Sequence, residues 1–518
     1  MYRSRPGLVA AVFLGAVAGY ARGASDCEVA SVTAPPGAVS LVAPAWSADG
    51  SRIAFVSSQD LAGGNADGSE EVFLLDVPSG AVFQVTDVFD GGFFDVALDA
   101  DGTRVAFSSD LDLFGGNFDE NREVWLFDVE AGAITQVSST FGAGLGNASP
   151  SLSPDGLRIV FVSDQMLPDG SNADGNPEIV LFDADSEALF LVTDTVGVVN
   201  RDPVLSGDGR FVFFVSDGDP AGLNPDRGDE IFAADLSLGL LAQLTGGADG
   251  AIVGRPSPDA SGALVAFASD RDPLGDNGDR NAEIFVVDVA TLGVRQVTKA
   301  TGNLGSFDPS LSADGLRVAF SSDRNLSGRN AEANVEVFRA DLAGGDVVAV
   351  TLSEAAMGRF PALDADGSRV AFLWTGSPDG SLQLFLAGEC AAAPVVPRVE
   401  IDILPKSRDN RIDVDSRKLV RVAILTTSVA RGDSLDFDAA TVAPRSVRFG
   451  RGGAREAKTR VRMRDVDRDG DRDLILHFRI DESGIELGDA EACLEGLTAD
   501  GSPFEGCDRV SPFRKRRR

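Results

Sequence analysis

One nine-residue pattern recurs seven times, and it constrains the fold more than any other feature of the chain. It reads Ser/Asp-x-Asp-Gly-x-Arg-Ile/Val-x-Phe. The copies are SADGSRIAF from Ser47, DADGTRVAF from Asp99, SPDGLRIVF from Ser153, SGDGRFVFF from Ser206, DASGALVAF from Asp259, SADGLRVAF from Ser312 and DADGSRVAF from Asp364. Their glycines, Gly50, Gly102, Gly156, Gly209, Gly262, Gly315 and Gly367, lie 52, 54, 53, 53, 53 and 52 residues apart. A period of this length marks one supersecondary unit copied and packed against its neighbours.

Each unit reads as four strands. In the third copy a short strand at 150–153 meets an Asp-Gly hairpin turn, and a β-branched and aromatic strand follows at 158–163. A polar loop leads to a strand at 178–182, and a short turn leads to a last strand at 190–193. Four antiparallel strands repeated seven times predict an all-β, seven-bladed β-propeller over 24–390. A solenoid would leave open sheet ends that need caps. The seventh unit lacks a fourth strand after 382–386, and residues 29–33 match the ends of other fourth strands. The first and last segments are therefore expected to share one blade. That alignment puts Cys27 and Cys390 where other blades have a connecting turn. Four cysteines allow three pairings; this placement favours Cys27–Cys390 and Cys493–Cys507.

These units resemble the WD40-like (PD40) repeats of TolB-type propellers. In that family an SPDG-x-x-Ile/Val-x-Phe pair is followed by Ser-Asp-Arg and a Glu-Ile-Tyr-like strand ending in Asp. Ser269-Asp270-Arg271 and Glu283-Ile284-Phe285 to Asp288 match this. The resemblance covers about 27–390 and implies fold rather than function, since members include envelope-complex partners and peptidase accessory domains. The α/β domain that precedes the propeller in TolB itself has no counterpart here.

The flanking segments suggest export. Arg3 and Arg5 precede an apolar stretch at 8–19, and Ala21-Arg22-Gly23 offers a cleavage site, so 1–23 is expected to be a signal peptide and the mature protein periplasmic or secreted. The formal net charge is -34. Such a surface repels nucleic acid, and no later apolar run is long enough to span a membrane. The charge is uneven: 24–398 carries 19 basic and 57 acidic residues, whereas 399–518 carries 24 and 23.

Residues 391–398 read as a linker. Beyond it, 399–511 alternates short apolar strands with turns, at 399–404, 419–426, 446–449 and 474–480, and is expected to form a small antiparallel β-sandwich. It resembles a C-terminal module of exported bacterial proteins, with Val399-Glu400-Ile401-Asp402-Ile403 near its start and Cys493-Leu494-Glu495-Gly496 near its end. Its sharpest motif places Asp465, Asp467, Asp469, Asp471 and Asp473 at alternate positions with Gly470 between them. Alternating carboxylates around a glycine turn suit calcium, which takes six to eight oxygens. The twelfth position is Leu476, not the Glu of an EF-hand. The basic tail 512–518 is expected to be a disordered end.

A second metal reading concerns the propeller. Six units carry Asn-x-Asp/Glu-x-x-x-Glu before the third strand: Asn65/Asp67/Glu71, Asn117/Asp119/Glu123, Asn172/Asp174/Glu178, Asn224/Asp226/Glu230, Asn277/Asp279/Glu283 and Asn330/Glu332/Glu336. These side chains could hold calcium, or they could form Asx turns with the Glu bonded to loop amides. Either way that face is acidic and suits cations or a basic partner.

Enzymatic readings fare worse. His477, the single histidine, lies in a predicted strand, and no Gly-x-Ser-x-Gly elbow occurs. No acidic position is seen to break the repeat. The expectation is therefore a monomeric, non-catalytic binding or scaffold protein that meets a protein or peptide through its propeller face, with calcium in the C-terminal loop. The alternative is glycan binding or a carboxylate-based glycan-active enzyme. Trp46, Trp125 and Trp374 are the only indoles, and two are expected in the core.

Overall fold

The computed structural model describes residues 10–11, 27–33, 38–89, 92–142, 144, 146–219, 222–247, 251–299, 305–326, 330, 333–353, 356–375, 380–388, 399–405, 407, 409–428, 436–458, 461–499 and 503–514. The chain divides into two compact units, Met1–Ala392 and Ala393–Arg518. The first contains seven antiparallel sheets of one pattern. In blade 3, for instance, Asn147–Leu152, Arg158–Ser163, Glu178–Asp183 and Ala188–Leu191 pair in sequence order. The first strands of successive blades touch one another around the ring, so they are innermost. No α-helix occurs among the described residues.

The repeated motif is explained by its turn. Gly102 has φ 66°, and a Cβ there would lie 2.8 Å from Arg52 Cβ of the preceding blade. Both the left-handed backbone and the close approach call for glycine. The motif's first residue holds the turn: Ser47 Oγ accepts from Arg52 N at 2.9 Å, and Asp99 Oδ1 accepts from Arg104 N at 3.0 Å. The motif arginine reaches the next blade's turn, with Arg52 Nη1 donating to Gly102 O at 2.7 Å and Arg104 Nη1 to Asp155 O at 3.3 Å. The closing phenylalanine packs on one from the third strand. Phe55–Phe73, Phe214–Phe232, Phe267–Phe285 and Phe320–Phe338 stack with centroids 5.6–5.9 Å apart. All eight rings are buried, each stabilising by about 1.5–3 kcal/mol.

The ring closes with the shared blade. Glu28–Ser31 pairs antiparallel with Gln383–Gly388, with Val29 opposite Ala387. Two contacts complete the closure: Trp46 Nε1 donates to Ala362 O at 2.9 Å, and Arg369 Nη2 to Gly50 O at 2.7 Å. Cys27 is disulfide-bonded; Cys390 and the expected linker lie outside the described residues. Most of the expected signal segment also lies outside them, and Ala10–Ala11 pairs with Ala81–Val82 at the edge of blade 1.

Fourth strands end earlier than the sequence suggests. In blade 3 the ladder stops at Leu191 because Ile179 N turns to the side chain of Thr193, donating to Oγ1 at 2.8 Å.

The second unit is a sandwich of two four-stranded sheets. One contains Ile401–Ile403, Leu419–Ile424, Asp473–Arg479 and Arg462–Arg464; the other contains Ala454–Arg455, Arg448–Phe449, Glu491–Leu497 and Pro503–Arg509. Val420, Val422, Leu476 and Phe478 meet Phe449, Leu494 and Phe504 in its core. The Cys493–Cys507 disulfide joins directly opposed residues of one sheet, with Cα atoms 4.0 Å apart. Not every pair is antiparallel: Ser511–Phe513 runs parallel to Arg411–Asp413 in a separate two-stranded sheet, which draws the start of the expected tail into regular structure.

Candidate functional site

In the second unit, the acidic turn 465–473 leads into the strand Asp473–Arg479, so the EF-hand's twelfth position is already strand. Arg468 and Gly470 take φ values of 75° and 102°, folding the segment back. Oxygens of Asp465, Asp467 and Asp473 come within 4.8 Å of one another. Asp473 is fully buried, and its two oxygens accept from Thr426 N at 3.0 Å and Val466 N at 2.7 Å. Asp469 and Asp471 lie outside the trio, where Asp469 Oδ1 accepts from Asp471 N at 2.8 Å. Burial raises the Asp473 pKa, with repulsion from Asp467 and Asp469 added and two amide bonds opposing. Burial also raises Asp467 and Asp402. Among the described residues, the other such group is Glu491 with Cys493 and Cys507, and its sulfurs form the disulfide.

In the propeller, the second-to-third-strand loops and the connectors between blades leave the sheets at the same end, so they share one face. Each Asn-x-Asp-x-x-x-Glu loop splits its side chains. The asparagines and glutamates are buried, whereas Asp67, Asp119, Asp174, Asp226 and Asp279 are exposed. The glutamate ties the blade together. Thr86 Oγ1 donates to Glu71 and accepts from Val72 N, while Glu71 Oε1 accepts from Val88 N at 2.7 Å. The same arrangement joins Ser138 to Glu123 and Thr351 to Glu336. Gln383 replaces the glutamate in blade 7, where it accepts from Thr33 Oγ1 at 2.7 Å. Burial pushes Glu71, Glu123 and Glu336 upward, against these hydrogen bonds.

Sequence reasoning missed a set of groups on the innermost strands. Asp202 and Asp308 sit at bulges with φ 56° and 53°, and Asp95 at an equivalent register shift. These are acidic positions that do break the repeat. Asp95 Oδ2 accepts from Ser149 N at 2.9 Å, and Asp308 Oδ2 accepts from Arg359 Nε at 3.1 Å. Arg255 Nη2 crosses from blade 5 to Pro203 O at 2.7 Å and Pro150 O at 3.2 Å. Burial lowers its pKa, opposed by Asp95 and Asp202. Aligning the third residue of each first strand would have exposed these positions.

The loop face also carries exposed apolar side chains. Phe89 is 95% exposed, Phe118 77% and Phe141 71%; Phe114, Met166, Val196 and Leu223 join them. All lie on second-to-third-strand loops or blade connectors. Of the three indoles, Trp125 is fully buried, while Trp46 and Trp374 are half-buried on strands.

Comparison with solved structures agrees with this architecture. An oligogalacturonate lyase of Vibrio parahaemolyticus shares 13% identity with a TM-score of 0.52, covering 74% of this chain and 98% of that one. An oligogalacturonate lyase in complex with manganese shares 14% identity with a TM-score of 0.51, covering 75% and 98%. TolB from Acinetobacter baumannii shares 21% identity with a TM-score of 0.39, covering 61% and 67%. The first unit is a seven-bladed β-propeller. No family model matches the chain, and no curated protein matches it. At these identities the likeness speaks to fold alone. No helix among the described residues is long and apolar enough to cross a membrane.

Proposed function

We infer that the chain is an exported, non-catalytic binding protein. Its propeller loop face takes a basic protein or peptide segment with apolar anchors, and Asp465, Asp467 and Asp473 hold a structural calcium ion. The observation that carries the reading is the coincidence of exposed Phe89, Phe118 and Phe141 with exposed carboxylates on one face of an acidic propeller. Exposed apolar surface ringed by charge marks interaction sites, and complementary charge steers a basic partner. Disulfides at Cys27 and Cys493–Cys507 suit an envelope or extracellular location. Oxygen ligands with repelling, partly buried carboxylates suit a hard divalent cation at the C-terminal turn.

A fluorescent peptide alternating lysine with leucine and phenylalanine tests the binding face by anisotropy. The expected result is micromolar binding, weakened at least about tenfold by Phe118→Ser/Phe141→Ser and weakened again by high salt. Equal affinity for the double variant would overturn the reading.

A further inference from the structure

The strongest unexplained geometry lies in blade 1. Ser69 Oγ has four oxygens around it: Val88 O at 2.7 Å, Asp67 Oδ1 at 3.0 Å, Glu71 Oε1 at 3.0 Å and Asn65 Oδ1 at 3.1 Å. A hydroxyl has one proton to donate. At most one of these contacts is a hydrogen bond donated by Ser69; the others bring electron-rich oxygens together with no hydroxyl proton between them. Such crowding is the layout of a hard cation's shell. Oxygens about 2.4 Å from a calcium ion stand roughly 3 Å from their neighbours. The donors are two carboxylates, an amide carbonyl, a hydroxyl and a backbone carbonyl, which together match a divalent charge.

Two independent observations extend this to neighbouring blades. The first is a set of orphaned oxygens. Asn117 and Asn172 are buried, and each directs Nδ2 to the backbone carbonyl four residues on, at 2.8 and 3.1 Å. Asn65 does the same at 2.8 Å, and its Oδ1 faces the cluster. The equivalent Oδ1 atoms of Asn117 and Asn172 have no hydrogen-bond partner, and the same is true of Asn224, Asn277 and Asn330 in blades 4 to 6. A buried carbonyl without a donor is costly unless something positive meets it. The position of Ser69 is held there by Asn121 and Asn176, whose Nδ2 atoms donate to Thr140 O at 3.0 Å and to Glu178 Oε1 at 2.8 Å, leaving each Oδ1 without a partner. Asp119 Oδ2 accepts from Gly142 N of the connector at 3.0 Å, so the connector closes blade 2 as Val88 closes blade 1.

The second observation is blade 4, where the pattern is broken in an informative way. Gly228 replaces the residue equivalent to Ser69, and a positive charge from the protein enters instead. A Cβ on Gly228 would lie 2.7 Å from Arg271 Nη2, while Arg271 Nη1 ion-pairs with buried Glu230. Where the loop loses its central oxygen ligand, a guanidinium takes up the space beside the buried carboxylate.

We propose that blades 1, 2 and 3 each bind one calcium ion. The ligands are the first, third, fifth and seventh residues of the loop, Asn65/Asp67/Ser69/Glu71, Asn117/Asp119/Asn121/Glu123 and Asn172/Asp174/Asn176/Glu178, with connector carbonyls such as Val88 O completing the shell. The ions staple each loop to the connector that leads to the next blade. Blade 4 uses Arg271 in place of the ion. The inference is independent of the peptide partner, because the titration uses metal alone.

Calorimetric titration of the full chain, stripped with chelator, tests it with calcium chloride and with magnesium chloride. The expected calcium stoichiometry is four, three in the propeller and one at Asp465/Asp467/Asp473. Asp67→Asn/Asp119→Asn/Asp174→Asn alters only exposed side chains, so tryptophan fluorescence should stay native while three sites disappear. Asp465→Asn/Asp467→Asn should remove one site and leave three. Gly228→Asn/Arg271→Gln should add a site, a gain that misfolding cannot mimic. A triple variant with unchanged stoichiometry, or a native chain binding a single ion removed by Asp465→Asn/Asp467→Asn, would overturn the proposal. Equal affinity for magnesium would overturn its assignment to calcium.

Discussion

Thr351 shows how much one hydroxyl does in this fold. Its Oγ1 accepts from Val337 N at 2.9 Å and donates to Glu336, linking the third and fourth strands of blade 6 at a buried position. Thr351→Val keeps the shape and removes both bonds. It leaves a buried N–H and a buried carboxylate short of a partner, at an expected cost of about 2–3 kcal/mol. Urea unfolding followed by tryptophan fluorescence measures that loss. His477 offers a second test at this scale. It is 8% exposed, and burial, reinforced by Lys458, Arg421 and Arg462, holds its pKa below 6.5. The folded state therefore keeps the imidazole neutral while the unfolded chain takes up a proton. The resulting stability is complete above pH 6.5, falls as pH drops toward the folded pKa, and levels off below it. His477→Gln should flatten that slope between pH 7 and 5, as read by hydrogen exchange of Asp473–Arg479 amides. Asp402, pushed up by burial, contributes an opposite slope in both proteins and cancels in the comparison. Roles at this scale were only partly visible in the sequence. The motif glycines announced their turns, but Thr351 and Glu336 stand fifteen residues apart, and only the folded hairpin shows that they meet.

At the scale of the element, the blade's period was legible because hydrophobic alternation and an Asp-Gly turn recur together. The bulges were not. Asp202 and Asp308 occupy a register shift in strands that otherwise pair regularly, and the shift redirects one side chain without leaving a pattern in the neighbouring residues. The connectors were also opaque, since they follow no repeat. Gly146 shows their tightness. It has φ 72°, and a Cβ there would lie 2.5 Å from Arg122 O and 2.8 Å from Arg122 N, both backbone atoms of the adjacent loop. Asn147 N donates to the same carbonyl at 2.7 Å, so the two segments cannot separate freely. Gly146→Ala combines an unfavourable left-handed backbone with a backbone clash, and the expected destabilisation is at least about 2 kcal/mol. Gly170→Ala, also at positive φ but with open space around its Cβ, carries the backbone term alone. A Gly146→Ala loss no larger than the Gly170→Ala loss would contradict this account of the connector.

For the whole molecule, the decisive quantity is the uneven charge. Residues 24–398 carry 57 acidic against 19 basic residues, whereas 399–518 are nearly balanced at 23 against 24. Folding the first unit concentrates like charge, and folding the second does not. Surface ion pairs such as Lys299–Asp276 oppose that repulsion, but an exposed pair contributes only about 0–1 kcal/mol, and most acidic residues of the propeller have no basic counterpart to pair with. Repulsion should therefore dominate, and salt should stabilise the propeller. The Debye length falls from about 30 Å at 0.01 M to about 10 Å at 0.1 M, a range that spans neighbouring blades. All three tryptophans, Trp46, Trp125 and Trp374, lie in the propeller, so their fluorescence reports its unfolding alone. Its melting temperature should rise by about 2–5 °C between 10 and 150 mM sodium chloride, with chelator present so that bound ions do not contribute. The second unit, followed through the imidazole signals of His477, should shift little. A propeller that melts at the same temperature across that range would mean that the acidic residues are already neutralised in pairs or by protons, and the case for an electrostatically steered basic partner would lose its physical basis.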